Sequence, residues 1–284
     1  MKFITTLFLT LVFSISLLAN VSNSEKSILI KLYQNTKGSQ WTVKWDLNAS
    51  VSTWYGVKIE NGKVVGINLP NNNLVGTLPV EICNLSNLVE LDLFKNNISG
   101  TIPENIGKLK NLQTLNLSFN KLTGSIPNST CELQNLKTLM IFMNRLSGEL
   151  PSQIGNLKEL EIVSLFNNDL SGELPASLYE LKNLKELILS SNKFSGQLSP
   201  NVENLVSLNK LSLFDNKLNG EIPFSIVKLE NLENVNLAYN SFSGSVPSTL
   251  AGKHGFNLMM RNESGVAFKM EVSNSTKGIL AADE

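Results

Sequence analysis

The chain has 284 residues, about two domains' worth of length, and its 24 Lys and Arg residues balance its 24 Asp and Glu residues. That balance argues against a nucleic-acid partner, which normally requires a basic excess or a basic stripe. Charged residues make up only 17%, whereas Asn occurs 37 times and Leu 47 times. A single histidine, His254, leaves little for histidine-based acid–base or metal chemistry. This composition favours a repeat protein over an enzyme.

Residues 1–19 are predicted to be a cleaved secretory signal. Lys2 provides a positive end, Ile4 to Leu18 is an apolar run, and Ala19 is the small residue expected before cleavage. Leu17 is a poor match two positions before the cleavage point, and an uncleaved anchor is the alternative. The run is shorter than the about 20 apolar residues of a membrane span, and no span is expected after cleavage. The predicted location is therefore extracellular, at the cell surface or periplasmic.

Residues 20–62 do not repeat and are predicted to form an N-terminal cap. Ser24 precedes a helix that ends near Gly38 and whose apolar face is formed by Ile28, Leu29, Leu32 and Tyr33. Two alternating runs around Asn61 and Gly62 predict a hairpin that leads into the first repeat. The three tryptophans of the chain precede that repeat, where they either cover its core or form a sugar-stacking platform: Trp41, Trp45 and Trp54.

Residues 63–254 recur with a period of 24 residues, eight times, which predicts a repeat solenoid. In the unit 87–110, Leu91 and Leu93 alternate with outward residues, so a short strand with one buried face is expected. One asparagine recurs in every unit, followed four residues later by glycine: Asn72, Asn96, Asn120, Asn144, Asn168, Asn192, Asn216 and Asn240.

These asparagines are predicted to point inward and form a structural ladder. Their short amides can satisfy backbone groups of their own coil and of the neighbouring coil. Replacement of Asn168 by Ala is expected to destabilise the stack, whereas the same change at Asn167, one position earlier and facing outward, is expected to be nearly silent. Ser199 replaces the usual proline, which moves to Pro200, and one irregular coil is expected there.

The segments S-G-T-I-P in unit 87–110 and L-S-G-E-L-P at 146–151 and 170–175 resemble plant-type leucine-rich repeats of receptor-kinase ectodomains and polygalacturonase-inhibiting proteins. The resemblance implies an α/β-type repeat solenoid, a right-handed superhelix or horseshoe with a parallel concave sheet and a second, shorter sheet. The cap sequence LYQNTKGSQWT with W-Y-G-V resembles that of secreted bacterial and protist leucine-rich-repeat proteins. Because no cysteine lies near it, a bacterial source is favoured over a plant receptor.

Residues 255–284 are predicted to form a C-terminal hairpin cap and a tail. The runs FNLMMR and VAFKMEV flank the turn residues N-E-S-G, which is typical of a hairpin. After Ser273 the sequence offers few core residues.

The two cysteines are predicted to be free, partly buried thiols. Cys83 and Cys131 are two periods apart, so they occupy equivalent sites about 10 Å or more from each other. A disulfide tolerates about 7 Å between Cα atoms.

No catalytic, metal or cofactor motif is present in the sequence. There is no phosphate-binding G-x-x-x-x-G-K-[ST] loop, H-E-x-x-H pair or C-x-x-C, and Asp92, Asp169 and Asp215 do not form a calcium pattern. A non-enzymatic, monomeric protein without a cofactor is expected. Glycosylation sequons occur at Asn48, Asn84, Asn97, Asn116, Asn128, Asn262 and Asn274.

Alignment of the coils predicts an outward stripe on the first sheet that binds a ligand. Its candidate residues are Asp92, Phe94, Asn116, Phe119, Met140, Phe142, Phe166, Phe214 and Tyr239. Two interpretations stay open: the phenylalanines lie flat as packing residues, or they form a contact surface.

Three functions are compatible with these features. The leading prediction is an exported recognition scaffold that binds a protein, peptide or glycan through its concave face. The alternatives are a structural or adhesive cell-surface protein and an inhibitor of a secreted hydrolase.

Overall fold

The computed structural model describes residues 21–252, 259–261 and 265–273. The predicted leader 1–19, His254, the sequons at Asn262 and Asn274 and the tail after Ser273 lie outside the described residues.

Two long sheets run along a stack of coils, so the predicted repeat solenoid is confirmed. The first sheet has nine strands, in the order Val57–Glu60, Lys63–Asn68, Glu90–Asp92, Thr114–Asn116, Thr138–Met140, Ile162–Ser164, Glu186–Ile188, Lys210–Ser212 and Asn234–Asn236. The second has eight: Val75–Thr77, Asn97–Gly100, Lys121–Gly124, Arg145–Gly148, Asp169–Glu173, Lys193–Gln197, Lys217–Glu221 and Ser241–Ser243. The second sheet has one strand fewer than the first, but its individual strands are not shorter. The expected shorter second sheet is therefore found only in the number of strands.

In each of the first seven coils, a short 3-10 segment follows the second strand and leads into the next coil. These segments are Val80–Asn84, Ile106–Lys108, Asn128–Glu132, Ile154–Asn156, Ala176–Glu180, Pro200–Asn204 and Phe224–Lys228. Leu91 and Leu93 from the strand, Ile98 and Ile102 from the next side and Ile106 from the 3-10 segment are all fully buried in one continuous core. Stacking of coils therefore buries apolar faces that one coil alone would leave in water.

The asparagines of the predicted ladder lie inside the stack and bond backbone groups of two coils. The amide of Asn168 donates to the carbonyls of Leu165 in its own coil, at 3.0 Å, and Ile141 in the preceding coil, at 3.1 Å. Its oxygen accepts from the Leu146 N–H at 3.0 Å. The two carbonyls lie just beyond strands of the first sheet, and the Leu146 N–H lies near the start of a strand of the second sheet. The amide therefore satisfies polar groups that burial would otherwise leave unpaired.

A second, exposed row of asparagines joins the coils on the solvent side. Asn111, Asn135, Asn183 and Asn231 each donate from the amide to a carbonyl of the preceding coil, at 2.8 to 2.9 Å. Water can replace these bonds, because the row is exposed.

The residue before each ladder asparagine has a left-handed backbone. Asn167, with φ of 55°, is one of a set with the same conformation in every coil: Asn71, Lys95, Phe119, Met143, Asn167, Ser191, Asp215 and Tyr239. Asn and Ala both have a Cβ, but Asn tolerates this conformation better because its side chain can hydrogen-bond the local backbone. We therefore expect Asn167→Ala to lower stability, and not to be nearly silent.

Replacement of Asn168 by Ala is expected to lower the unfolding free energy by about 1–3 kcal/mol, because it strands buried backbone donors and acceptors. The matched control is Asn183→Ala, which removes an exposed coil-to-coil bond from the same residue type. Urea midpoints of the two variants make the comparison, and equal midpoints would show that burial of the ladder is not what stabilises the stack.

The coil at Ser199 is regular, so the expected irregularity is wrong. Ser199 has φ −64° and ψ 142°, like Pro175 in the preceding coil with φ −65° and ψ 142°. The Ser199 hydroxyl accepts from the Asn201 N–H at 3.1 Å. Pro200 then occupies the first turn of the 3-10 segment, where its missing N–H has no role.

The N-terminal cap consists of a helix, two 3-10 turns and an antiparallel hairpin. The helix spans Asn23–Asn35 and is capped by Ser22, whose hydroxyl accepts from the Glu25 N–H, so Ser24 lies inside the helix and is not its cap. The 3-10 turns are Gly38–Gln40 and Val51–Thr53. The hairpin pairs Val57–Glu60 with Lys63–Asn68 across the turn at Asn61 and Gly62, both with positive φ.

The three tryptophans are buried in the cap and cover the first coil. Trp45 stacks on Trp54 at 4.7 Å and meets Trp41 edge to face at 4.9 Å. Each indole N–H donates to a backbone carbonyl at 2.9 Å. Their ring faces are therefore not available as the sugar-stacking platform that was the alternative.

The C-terminal end has two small sheets. Met259–Arg261 pairs with Ala267–Lys269 as an antiparallel hairpin, and Ser245–Pro247 pairs in parallel with Glu271–Ser273. A short helix, Ser248–Ala251, links the last coil to this region. Among the helices of the described ranges, none has the length and apolarity that crossing a bilayer requires.

Cys83 and Cys131 are free thiols that pack in the core. They are fully buried, more than the partial burial expected from the sequence. Burial raises the pKa of each thiol to about 11, because a thiolate loses its hydration there.

Stability is expected to fall between about pH 9 and pH 11. In this window the unfolded chain loses thiol protons that the folded chain retains, so ionisation favours unfolding. Urea midpoints at pH 8, 9.5 and 10.5 measure the decline, and the Cys83→Ala/Cys131→Ala variant isolates the thiol contribution, because the two proteins differ in no other ionisable group. The same slope in both would contradict the assignment.

Candidate functional site

The register of the first sheet aligns outward side chains from successive coils. Asn68 pairs with Asp92, Asp92 with Asn116, and Asn116 with Met140. The row continues through Ser164, Ile188, Ser212 and Asn236. A second row lies just past the end of each strand, two residues after the first row: Pro70, Phe94, Ser118, Phe142, Phe166, Ser190, Phe214 and Ala238.

Backbone conformation brings two further rings beside this second row. Phe119 and Tyr239 follow Ser118 and Ala238 and have φ of 54° and 57°. The left-handed turn directs the chain into the asparagine ladder and leaves the side chain of the turning residue on the surface. Where the second row has a small residue, as at Ser118 and Ala238, the aromatic side chain of the next residue occupies the space beside the row.

Four rings form the N-terminal aromatic cluster: Phe94, Phe119, Phe142 and Phe166. Phe119 meets Phe94 at 5.3 Å and Phe142 at 5.5 Å, both edge to face. Phe142 stacks on Phe166 at 4.3 Å with 13° between the ring planes. Such contacts contribute about 0.5–1.5 kcal/mol per pair beyond burial, so the rings hold one another in place.

Phe214 and Tyr239 form a separate C-terminal aromatic pair, with centroids 5.2 Å apart. Ser190 and Ser191 separate this pair from the N-terminal aromatic cluster. The stripe expected from the sequence is therefore interrupted, because a column of residue names does not show where one ring meets the next.

The phenylalanines are less exposed than a column of outward residues suggests. Phe94, Phe142, Phe166 and Phe214 are half-buried, and Phe119 is the most exposed of these five rings, with 37% of its surface accessible. Both interpretations of the phenylalanines thus hold in part: the rings pack edge against face with one another, and together they present an apolar surface on the sheet.

The polar candidate residues Asp92 and Asn116 form hydrogen bonds at the ends of their strands. One Asp92 carboxylate oxygen accepts from the Phe94 N–H at 2.9 Å, and the other accepts from the Asn116 amide at 3.2 Å. The Asn116 oxygen accepts in turn from the Ser118 N–H at 3.2 Å. Asn116 is buried by these contacts, which makes it a positioning residue for the rings. Glu90, bonded to the Asn68 amide at 3.3 Å, was not predicted, although it precedes Asp92 on the same outward face.

Met140 lies half-buried in the first outward row, between Asn116 and Ser164. Its flexible thioether extends the apolar surface next to Phe142, two residues further along the strand.

The Ser118 hydroxyl is buried without a hydrogen-bond partner. The rings of Phe94 and Phe142, although two coils apart, have centroids only 6.4 Å from each other and so converge above it. An unpaired buried hydroxyl costs free energy, so the site contains a local conflict between ring packing and polar satisfaction.

Replacement of Ser118 by Ala is expected to raise the unfolding free energy by about 1 kcal/mol, because it removes a hydroxyl that has lost water and gained no partner. Ser190→Ala is the control, since the Ser190 hydroxyl bonds that of Ser212 at 2.6 Å. Thermal unfolding of both variants tests this, and a clear loss of stability in Ser118→Ala would reveal an unrecognised partner.

Within the described residues, no group of three or more His, Cys, Asp and Glu side chains lies close enough to hold a metal ion. A recess of about 400 Å³ lies at the other edge of the first sheet, with Glu60, Lys63, Asn87 and Gln113 among its lining residues. It is shallow and contains none of the predicted ligand-binding residues.

Two family models match the repeats. A model described as a leucine-rich repeat region matches residues 71–190, and one described as a leucine rich repeat matches residues 183–205 and 231–252. Together they match residues 71–205 and 231–252, which are more than half of the chain.

Among curated proteins, the leucine-rich repeat receptor protein kinase EMS1 of Arabidopsis thaliana is 38% identical over 94 residues, which are 32% of this chain and 8% of that protein. The relative is a plant protein, and the bacterial source stays a prediction.

Among solved structures, the plant peptide hormone receptor RGFR1 in complex with RGF2 matches with a TM-score of 0.64 and 36% identity, over 69% of this chain and 31% of that one. The PEPR1–AtPEP1 crystal structure matches with a TM-score of 0.74 and 30% identity, over 85% and 38%. The chain thus spans about a third of the length of these receptor chains.

Proposed function

The chain belongs to the leucine-rich-repeat family, and from that premise we propose that it is an exported, non-enzymatic scaffold that recognises a peptide or an extended protein segment. The binding surface is the face of the first sheet that points away from the core. In such a superhelix this face is the concave side. The observation on which this proposal depends is the N-terminal aromatic cluster, whose rings stand on the sheet and not in the core.

The physical properties of the cluster suit an anchor site. The rings pack against one another on a regular array of strands. Few side chains therefore lose conformational freedom when a ligand binds. Aromatic residues supply a large share of binding energy at interfaces, and contiguous exposed apolar area marks contact surfaces. Two of the similar structures are complexes, the plant peptide hormone receptor RGFR1 with RGF2 and PEPR1 with AtPEP1, and a peptide ligand is proposed for this chain as well.

The double variant Phe142→Ala/Phe166→Ala is expected to weaken peptide binding at least tenfold, or about 1.4 kcal/mol, because it removes the stacked centre of the cluster. Peptides selected on the native chain from a random displayed library serve as ligands, and titration calorimetry measures their affinity. Some stability is lost as well, since the rings pack on each other, so circular dichroism must show the folded state at the assay temperature.

A matched pair of single variants separates the site from general effects. Phe119 lies in the cluster and Phe224 on a 3-10 segment, and each has 37% of its surface exposed. Phe119→Ala is expected to weaken binding, whereas Phe224→Ala leaves it unchanged. If both variants bind like the native chain, the site lies elsewhere; a library that yields no peptide favours the adhesive or hydrolase-inhibiting alternatives.

A further inference from the structure

Aromatic residues follow the stack with one gap. From Phe94 to Tyr239 each coil contributes a ring either from the second outward row or, where that residue is small, from the left-handed residue after it. Thus Ser118 is followed by Phe119 and Ala238 by Tyr239. The exception is the coil in which Ser190 is followed by Ser191. One ring is missing from an otherwise unbroken series.

Both walls of this gap are supported from behind. On one side Phe166 stacks on Phe142 at 4.3 Å, and on the other Phe214 packs against Tyr239 at 5.2 Å. Each wall is thereby held towards its own neighbour, and Ser190 between them is partly exposed. At the equivalent place in the third coil, Phe119 fills the space and Ser118 is completely covered.

The cluster shows how one added ring fits across two coils. Phe166 and Phe214 belong to coils two sheet spacings apart, or about 9.6 Å. Phe94 and Phe142 belong to coils with the same separation, and their ring centroids lie 6.4 Å apart. Phe119 contacts both of these rings, at 5.3 and 5.5 Å, so a third ring can pack against two phenylalanines placed in this way.

The floor of the gap is a hydroxyl pair. The Ser190 and Ser212 oxygens lie 2.6 Å apart, so one hydroxyl donates to the other. The second hydroxyl hydrogen and the remaining lone pairs are free to bond a polar group that enters from above. The gap thus combines apolar walls with a small polar base.

The charges beside the gap disfavour an acidic occupant. Glu161 pairs with Lys185 at 2.6 Å, and Glu186 with Lys210 at 3.7 Å, so these charges compensate each other. Asp215, which directly follows Phe214, adds a carboxylate that would repel a second one. A neutral planar side chain with a hydroxyl at its tip is the complementary group.

We infer that this aromatic slot, formed by Phe166, Ser190, Ser212 and Phe214, binds one tyrosine side chain of the recognised peptide. The ring lies between the two phenylalanines and completes the aromatic series, and the phenolic hydroxyl bonds the serine pair. This inference rests on the proposed peptide-binding function and specifies its anchor residue.

The direct test is a titration with N-acetyl-L-tyrosinamide, followed by NMR at the δ1-methyl group of Ile188. This residue lies two positions before Ser190 on the same outward face. A saturable shift is expected, and N-acetyl-L-phenylalaninamide should bind about threefold to tenfold more weakly, because it lacks one hydrogen bond. Equal binding of the two amides, or no shift at saturating probe, overturns the inference.

Two substitutions in the slot separate its parts. Ser190→Phe introduces the residue that four other coils have at this position, so the fold should tolerate it while the ring blocks the slot and abolishes the Ile188 shift. Ser190→Ala should retain binding but remove the preference for tyrosinamide. Ser118→Ala is the matched control in the closed coil and should bind both amides like the native chain. Native-like binding by Ser190→Phe contradicts the inference.

The peptides selected from the displayed library distinguish this inference from the function on which it rests. Tyrosine-containing peptides whose binding is lost in Ser190→Phe support both. Peptides that depend on the N-terminal aromatic cluster but are insensitive to Ser190→Phe leave the proposed function intact and overturn the slot. Absence of any selected peptide contradicts the proposed function, whatever the amides show.

Discussion

The need to satisfy buried backbone groups in the turns of the stack is the constraint on which this structure depends. Sheet hydrogen bonds pair the strands of adjacent coils, yet each coil also has to bend between its two sheets inside an apolar core. There the backbone has no strand partner, and an amide side chain of the right length supplies both a donor and an acceptor. A serine or an aspartate offers only part of that capacity, which explains why every coil has asparagine at this place.

Because the buried residues stabilise the fold, the residues on the outer face of the first sheet can differ from coil to coil. Leucines and the ladder asparagine meet the demands of folding, whereas the outward rows contain Asp, Asn, Met, Ser, Ile and Phe at equivalent positions. Because the strand register is set from inside, a change of outward residue alters surface chemistry without moving the backbone. The aromatic rings, the serine gap and the acidic residues near the first coils all lie at these variable outward positions.

The fold was largely predictable, because the same physical demand recurs every 24 residues and eight copies of one pattern leave little ambiguity. The site was predictable only as a set of columns. Whether Phe142 meets Phe166 or Phe119 depends on ring rotation, which has no signature in the sequence. It also depends on the left-handed backbone at Phe119, which recurs in every coil but is not marked by one residue type. The regular coil at Ser199 was missed for a related reason: serine can adopt the backbone angles of proline, although nothing in its name requires them.

The ladder also has a direction. Each asparagine bonds the coil that precedes it, and the first one, Asn72, bonds the N–H and the carbonyl of Val43 in the cap. The interior of any coil is therefore completed by the coil that follows. A stack that begins at the cap and stops after any coil thus exposes unpaired ladder groups at one end only, in its last coil.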